Sequence, residues 1–80
     1  MRAELQPSHH MDLVQLFGEN VRRSRIAKGM TQEQLALEAD MERSYVSDLE
    51  RARRNPSIRA LERLANALEV DPAELLRAQS

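Results

Sequence analysis

Apolar residues recur at helical spacing along most of the chain, and no segment shows the strict alternation that a half-buried strand requires. The first helix is predicted to start after Asp12, its N-cap, and to run to Lys28. Gly29 follows, and glycine suits the left-handed backbone position just past a helix end. The inward face of this helix is predicted to contain Leu13, Phe17 and Val21.

Two short helices joined by a tight turn follow between Thr31 and Arg51. Thr31 and Gln34 have the spacing of a capping box, which predicts the start of the second helix. The third helix is predicted to span Arg43 to Arg51, with polar side chains on its exposed face. This arrangement is typical of a helix-turn-helix, whose second helix lies in the major groove of DNA. The inward faces are predicted to contain Leu35, Ala36, Ala39, Val46 and Leu49.

Two further cap signals predict two more helices. Ser57 is the expected N-cap of a fourth helix, after the interruption at Asn55 and Pro56. Asp71 and Pro72 are expected to open a short fifth helix, because aspartate caps helix starts and proline suits the first helical position. The fourth helix is predicted to carry an amphipathic stripe of Ile58, Leu61, Leu64, Ala65 and Leu68, and the fifth helix contains Leu75 and Leu76.

Residues 12–80 are therefore expected to form one all-α domain of five helices, and residues 1–11, which lack periodicity, a flexible tail. No apolar run approaches the roughly 18 residues of a membrane-spanning helix, and the first residues lack the apolar centre of a signal peptide. The absence of cysteine excludes disulfides and thiolate metal sites. We expect a soluble, cytoplasmic protein without a cofactor. His9 and His10 are adjacent and lack further ligands, so no metal site is expected there.

The formal net charge is −1, but the charges are distributed unevenly. Between Arg22 and Arg59, nine basic residues stand against six acidic ones, whereas the flanking segments hold three basic and seven acidic residues. Local field determines the attraction to a polyanion, so the central segment is the candidate surface for nucleic acid. Mixed charge also occurs on ordinary solvated surfaces, and it is the helix-turn-helix pattern that favours the first interpretation.

Side chains suited to reading bases lie in the N-terminal part of the third helix. Arg43 can donate two parallel hydrogen bonds to guanine O6 and N7, and Asp48 can accept from cytosine N4. Ser44 and Ser47 can donate or accept. The alternatives are that Arg43 is only a solvated surface side chain and that Asp48, repelled by phosphates, acts only through water.

Several spaced motifs together resemble the phage Cro/repressor-type helix-turn-helix family. They are Gly29-Met30-Thr31-Gln32, Leu35-Ala36, Ser44-Tyr45-Val46-Ser47, Leu49-Glu50 and Asn55-Pro56-Ser57. The resemblance covers about Phe17 to Leu76. It implies a compact, five-helix, lambda-repressor-like DNA-binding domain with the helix-turn-helix at its second and third helices, and double-stranded DNA as partner. Arg43, Ser44 and Asp48 match the base-reading positions of the family.

Candidate phosphate anchors lie close to helix ends. Gln32 lies at the start of the second helix, where free N–H groups and the helix dipole favour an anion. The family pattern and the basic cluster after the third helix supply the other candidates, which are Tyr45, Arg51, Arg54, Asn55 and Ser57. The alternative for Tyr45 is a half-buried structural ring, and Arg53 can be simply solvated.

Arg25 and Glu50 look functional by residue type, but the resemblance implies a partly buried ion pair between the first and third helices. Three positions depart from the family pattern. Asp40 stands in the turn where glycine is usual, Glu42 is a poorer N-cap than serine, threonine or aspartate, and Ser24 replaces a common leucine. Aspartate tolerates the left-handed region at some energetic cost, so these departures concern local geometry and not the fold.

One helix-turn-helix reads only a few base pairs, so we expect a homodimer with recognition helices roughly 34–36 Å apart on a near-palindromic operator. The residues expected at the dimer interface are Leu68, Val70, Leu75 and Leu76. The alternative is that these leucines only close the monomer core, which is the favoured interpretation for Leu68. The motifs in 43–47 and 50–57 also resemble the controller proteins of restriction–modification systems. Those are stand-alone dimers that regulate their own gene and the endonuclease gene.

The expected function is therefore that of a bacterial transcriptional regulator or repressor, with no small-molecule ligand evident. An antitoxin or another protein-interaction module is the alternative, although residues 1–11 hold no clear amphipathic anchor for a partner. An enzyme is not expected, because the chain has no cysteine nucleophile, no glycine-rich phosphate loop and no HExxH motif.

Overall fold

The structure, a computed structural model, describes residues 12–78. This range forms four α-helices and one 3₁₀ helix and contains no strand. The α-helices are α1 (Leu13–Ala27), α2 (Gln32–Ala39), α3 (Arg43–Glu50) and α4 (Ile58–Leu68), and the 3₁₀ helix is Pro72–Leu76. The predicted tail at residues 1–11, the pair His9 and His10 and the last two residues of the predicted domain lie outside the described residues.

Side-chain caps fix the helix starts where the sequence predicts them. Asp12 and Ser57 each accept a first-turn backbone N–H at 3.0 Å. Thr31 and Gln34 form the predicted capping box, in which Thr31 Oγ1 accepts the Gln34 N–H at 3.0 Å and Gln34 Oε1 accepts the Thr31 N–H at 2.8 Å. Glu42, which precedes α3, makes no side-chain cap hydrogen bond.

Each α-helix in residues 12–78 is followed by a residue with positive φ, and the next N–H bonds back to a carbonyl in the last turn. The left-handed residues are Gly29 (φ 71°), Asp40 (φ 57°), Ala52 (φ 58°) and Glu69 (φ 60°). This is the Schellman arrangement, which satisfies carbonyls at a helix end. Only the first of these residues is glycine, so three carry a Cβ in a region that costs about 1–2 kcal/mol per residue.

The core lies where the four α-helices and the 3₁₀ helix meet. Helix α1 packs against α3, α4 and the 3₁₀ helix, and α2 packs against α3 and α4. The buried apolar residues are Phe17, Val21, Leu35, Ala36, Ala39, Val46, Leu49, Ala60, Leu64, Ala65, Leu68 and Leu75. All five elements contribute, so the helix-turn-helix is held by α1 and α4 rather than by its own contacts alone.

Two predicted core positions are wrong. Leu13 is 58% exposed and Ile58 is 81% exposed, although both fit the helical apolar pattern. Each is the first residue of its helix, and there the neighbouring elements leave an open groove between α1, α4 and Leu76. Periodicity identifies the apolar side of a helix, but it does not show where along the helix a neighbour stops covering that side.

The prediction of a fifth α-helix is also wrong. In the 3₁₀ helix the Glu74 N–H bonds to the Asp71 carbonyl at 2.8 Å, three residues back. The buried Asn20 of α1 donates Nδ2 hydrogen bonds to the carbonyls of Leu75 (3.0 Å) and Arg77 (2.9 Å). The Leu75 carbonyl accepts a hydrogen bond from a side chain of α1, so it is not available to continue a helix. The segment therefore remains one short turn, with Leu75 buried in the core.

Candidate nucleic-acid interface

The turn between α2 and α3 is a tight left-handed connection. Asp40 adopts φ 57° and ψ 54°, the left-handed geometry expected for this position. The Met41 N–H bonds back to the Ala36 carbonyl at 2.9 Å, which closes the end of α2. Only Met41 and Glu42 then separate Asp40 from α3, so the direction of α3 follows directly from this turn.

Helix α3 is anchored by its inward face. Val46 and Leu49 are 0% and 1% exposed. The backbone of α1 also approaches α3 closely at Gly18. A Cβ at this position would overlap the Leu49 carbonyl. A helix held this tightly presents its opposite face to solvent in a fixed orientation, which base reading requires.

An ion pair joins α1 to the end of α3. Arg25 Nε lies 2.7 Å from Glu50 Oε2, and Arg25 Nη2 lies 3.0 Å from Oε1. Arg25 Nη1 donates to the Met30 carbonyl at 2.8 Å, and the Glu50 side chain is 3% exposed. The hydrogen bond to Glu50 raises the pKa of Arg25 above its ordinary value, against the opposing effect of burial. This bidentate pair holds both side chains largely away from solvent, which favours the structural role predicted for it.

Gln32 belongs to the same network. Its Nε2 donates to Glu50 Oε1 at 3.0 Å, so the first residue of α2 is fixed beside the end of α3. The backbone N–H groups at the start of a helix have no intrahelical acceptor, and in α2 they begin beside Glu50 at the end of α3. The position is compatible with the phosphate contact predicted for Gln32. Its side chain is hydrogen-bonded to Glu50, so the backbone N–H groups would contact the phosphate.

The four predicted base-reading residues lie on one side of α3, away from Val46 and Leu49. Arg43 and Ser44 are exposed, and Ser47 and Asp48 are partly exposed. Exposure decreases along the helix from its N-terminal turn, so Arg43 and Ser44 are the most accessible of the four. Helix-turn-helix proteins contact base edges with this end of the second helix.

Asp48 carries a charge that would oppose DNA, but a cation offsets it. Arg54 Nη2 lies 3.4 Å from Asp48 Oδ2, and Arg54 Cζ lies 4.8 Å from the centroid of the Tyr45 ring. Tyr45 is half-buried against the core, so its ring is a structural support and also carries the guanidinium of Arg54. Both acidic residues of α3, Asp48 and Glu50, are therefore paired with arginines.

The remaining phosphate candidates lie between the end of α3 and the start of α4. Arg51, Arg54, Asn55 and Ser57 are all exposed. Ser57 Oγ accepts the Ala60 N–H at 3.0 Å, which leaves its own hydroxyl proton free to be donated. Gln32 lies beside Glu50 at the end of α3. Ser57 lines an open pocket together with Glu42 and Tyr45 at the start of α3. These groups therefore flank both ends of the helix and could fix its register along a groove.

Comparison with known proteins identifies the family. Residues 21–75 match the helix-turn-helix family model, which is more than half of the chain. The chain belongs to the helix-turn-helix family. Over 62 residues it is 48% identical to the control protein C.BamHI of Bacillus amyloliquefaciens, covering 76% of each chain. Over 59 residues it is 39% identical to the immunity repressor protein of Bacillus phage phi105, covering 74% of this chain and 41% of that protein.

A solved structure has the same fold. The restriction–modification controller protein C.AhdI of Aeromonas hydrophila is 44% identical and superposes with a TM-score of 0.76, covering 78% of this chain and 94% of that one. The predicted resemblance to phage repressors and controller proteins is confirmed by these helix-turn-helix relatives. The chain is thus a helix-turn-helix DNA-binding regulator and not an enzyme. Among residues 12–78, no helix has the length and apolar character needed to cross a membrane.

The residues expected at a dimer interface of this helix-turn-helix protein fall in two groups. Leu68 and Leu75 are each 1% exposed, so they close the monomer core and have no surface to offer a partner. Val70 is partly buried against the core, and Leu76 is 40% exposed. Leu68 and Leu75 face inward because α1, α4 and the 3₁₀ helix converge on them, which the apolar pattern alone did not specify.

Two positions that support the site were missed by sequence reasoning. Gly18 lies inside a helix, where glycine is unfavourable by roughly 1 kcal/mol, and that cost indicates a packing reason. Asn20 is 3% exposed although it lies one residue before the core position Val21. Both signals are visible in the sequence, but neither identifies the partner, which is the Leu49 carbonyl for Gly18 and the Leu75 and Arg77 carbonyls for Asn20.

Proposed function

We propose that this protein is a sequence-specific transcriptional regulator that binds a near-palindromic operator as a homodimer, with α3 in the major groove. The observation that carries the proposal is the exposed edge of Arg43 and Ser44 at the start of α3, on a helix fixed by Gly18 and by the Arg25–Glu50 pair. Arginine at this place can bind guanine in a bidentate manner. The phosphate candidates at both ends of α3 supply the positioning contacts that such readout needs.

We further propose that it is an autoregulating controller of a restriction–modification system. Two of its relatives, C.BamHI and C.AhdI, are named as control or controller proteins, and the similarity covers 76% and 94% of their chains. Regulation of this kind needs no effector domain, because the concentration of the dimer and the arrangement of operators can set the response. The regulated genes would then include its own gene and the neighbouring endonuclease gene.

The dimer is proposed to form through an apolar groove between the start of α1 and the start of α4. The groove has a volume of about 340 Å³, and its walls include Leu13, Phe17, Ile58, Leu61 and Leu76. Ile58 is 81% exposed at its rim. A two-fold arrangement brings the same patch of both copies together, so Ile58 of one copy could fill the groove of the other. This surface replaces Leu68 and Leu75 in the expected interface.

The operator proposal is tested by selecting bound duplexes from a random DNA pool at near-physiological salt. Enrichment of a two-fold symmetric site, with half-sites about one helical turn apart, is the expected result. The selected motif is then sought upstream of the gene for this protein and of its neighbours. Binding without enrichment that disappears as salt rises would leave only electrostatic attraction and would count against sequence reading.

The dimer proposal is tested by sedimentation of Ile58→Asp beside a matched control, Leu37→Asp. The two side chains are equally exposed at 81%, but Leu37 lies on α2 and does not line the groove. Ile58→Asp should produce a monomer at tens of micromolar, whereas Leu37→Asp should remain a dimer. An acidic residue at the first position of α4 is favourable for the helix, so loss of pairing would not reflect unfolding. A monomeric wild type that does not pair even on DNA would reject the dimer.

A further inference from the structure

Arg54 is held in place by two residues of α3. Its guanidinium lies over the ring of Tyr45, 4.8 Å from the centroid, and Nη2 is 3.4 Å from Asp48 Oδ2. Tyr45 and Asp48 are three residues apart on α3, so they share a face of the helix. The Arg53 N–H also bonds to the Asp48 carbonyl at 2.8 Å, which fixes the start of the loop that carries Arg54.

The Asp48–Arg54 ion pair is accessible to solvent, so another anion can replace Asp48 as the partner of Arg54. The side chains of Asp48 and Arg54 are 36% and 48% exposed, and surface ion pairs of this kind are weak. Only one long hydrogen bond joins them, although a guanidinium has five donors. A DNA phosphate could therefore take Arg54 from Asp48 with a better charge-assisted hydrogen bond.

Such an exchange has a consequence for Asp48. Once Arg54 has moved to a phosphate, the Asp48 carboxylate is left facing DNA without its cation. That state is unfavourable on most sequences, because the carboxylate is repelled by the phosphates. It becomes favourable where a base presents a donor to the carboxylate, such as cytosine N4. The Arg54 contact would then depend on sequence, although phosphates themselves carry no sequence information.

We infer that Asp48 is a specificity-determining residue that acts by competing with DNA for Arg54. In the free protein it positions Arg54 on Tyr45, and on unmatched DNA it penalises the release of Arg54. The inference rests on the proposed function, since it requires α3 to lie in the major groove. It assigns Asp48 a role that a solvated surface carboxylate or a simple base reader would not have.

The positioning role is tested first without DNA, by nuclear magnetic resonance of the Arg54 side chain. Protons above an aromatic face are shifted upfield, so the Arg54 side-chain protons should resonate upfield of those of Arg53 in the wild type. Asp48→Asn should move the Arg54 signals downfield, whereas Glu42→Gln should not. Glu42 is a suitable control, because it precedes α3, is exposed and makes no side-chain cap. Unshifted Arg54 protons in the wild type would overturn the positioning role.

The specificity role is tested by a double-mutant cycle of Asp48→Asn and Arg54→Gln, measured on the selected duplex and on a random duplex at several salt concentrations. Asp48→Asn should strengthen random binding several-fold more than selected binding, so that the specificity ratio falls at least threefold. It should also steepen the salt dependence on random DNA by about one counterion. In the Arg54→Gln background both effects should shrink at least threefold, because no cation remains to be released.

The control Glu42→Gln removes a charge of the same sign beside α3 and should alter both duplexes equally. Equal effects of Asp48→Asn on the two duplexes, or effects that do not depend on Arg54, would overturn the inference while leaving the proposed function intact. A wild-type protein that binds no duplex better than random DNA would overturn the proposed function and this inference together.

Discussion

The backbone carbonyl of Leu49, near the end of α3, occupies the space that a side chain at Gly18 of α1 would need. This contact sets how closely the recognition helix lies against the rest of the domain. Both partners are buried, so neither backbone can move aside freely. The orientation of α3 thus depends on the absence of one methyl group on a different helix.

Gly18→Ala should destabilise the protein by about 1–3 kcal/mol, because overpacking against backbone outweighs the better helix propensity of alanine. Chemical denaturation measures the change. The matched control is Glu19→Ala on the adjacent, exposed position of α1, which should change stability by less than about 0.5 kcal/mol. A Gly18→Ala protein more stable than the wild type would show that α1 and α3 are not in close contact.

Glu50→Ala should lower the free energy of unfolding by about 3–5 kcal/mol, because Arg25 would keep a partly buried charge without its partner. Thermal denaturation should show this loss before any change in DNA sequence preference appears. Glu62→Ala is the control, since Glu62 pairs with Arg59 at 3.3 Å on the surface and that pair contributes little. Unchanged stability of Glu50→Ala would refute the structural role of the pair.

Ala52→Gly should stabilise the protein by about 0.5–1 kcal/mol. Ala52 adopts φ 58°, and glycine removes the left-handed strain at some cost in unfolded-state entropy. Ala27→Gly is the same substitution at the right-handed last residue of α1 and should destabilise instead. Urea denaturation of both variants measures the two changes in the free energy of unfolding, which should have opposite signs. A loss of stability in Ala52→Gly would contradict the left-handed geometry.

Arg43→Ala should weaken binding to the selected operator by about 1–3 kcal/mol and leave binding to random DNA nearly unchanged. The reason is that Arg43 is exposed at the start of α3 and is proposed to read a base rather than a phosphate. Arg22→Ala, an exposed position on α1, is the control and should alter neither. Equal losses on both duplexes, with a smaller salt dependence, would instead make Arg43 a phosphate anchor.

Lys28→Met should raise the pKa of Glu69 towards its ordinary value. In the wild type a hydrogen bond from Lys28 Nζ to Glu69 Oε1 at 2.6 Å, together with the positive charge, lowers that pKa. A carboxyl whose pKa is lower in the folded state contributes stability above its unfolded-state pKa and loses it as pH falls through the folded pKa. Carbon-detected titration of Glu69 should show the rise in Lys28→Met and none in Lys28→Arg.

The helix starts were predictable because their signals are local. Asp12, Thr31 and Ser57 each accept a hydrogen bond from a backbone N–H two or three residues later, so one short segment of sequence contains both partners. The helix ends were less predictable. Ala52 and Glu69 have left-handed backbone conformations, and a sequence signals such a conformation only where glycine stands. There the tertiary position of the following segment overrides the local preference of the residue.

Part of the candidate site was likewise predictable from local sequence, and part depended on the tertiary structure. Arg43 and Ser44 could be placed on the exposed face of α3 from helical spacing and residue chemistry, together with the family resemblance. The bonds among Tyr45, Asp48 and Arg54 could not be predicted, since they depend on how the loop after α3 folds back over that helix.

The sequence by itself determined the helix-turn-helix and the side chains available for reading DNA, because each depends on spacing within one short segment. It also identified the family, through several motifs spaced along the chain. The tertiary structure decided which apolar residues are core and which are surface. Leu68 and Leu75 are enclosed by three elements, whereas Leu13 and Ile58, with the same apolar character, border an open groove. Burial depends on what packs against a residue, and those partners come from distant parts of the chain.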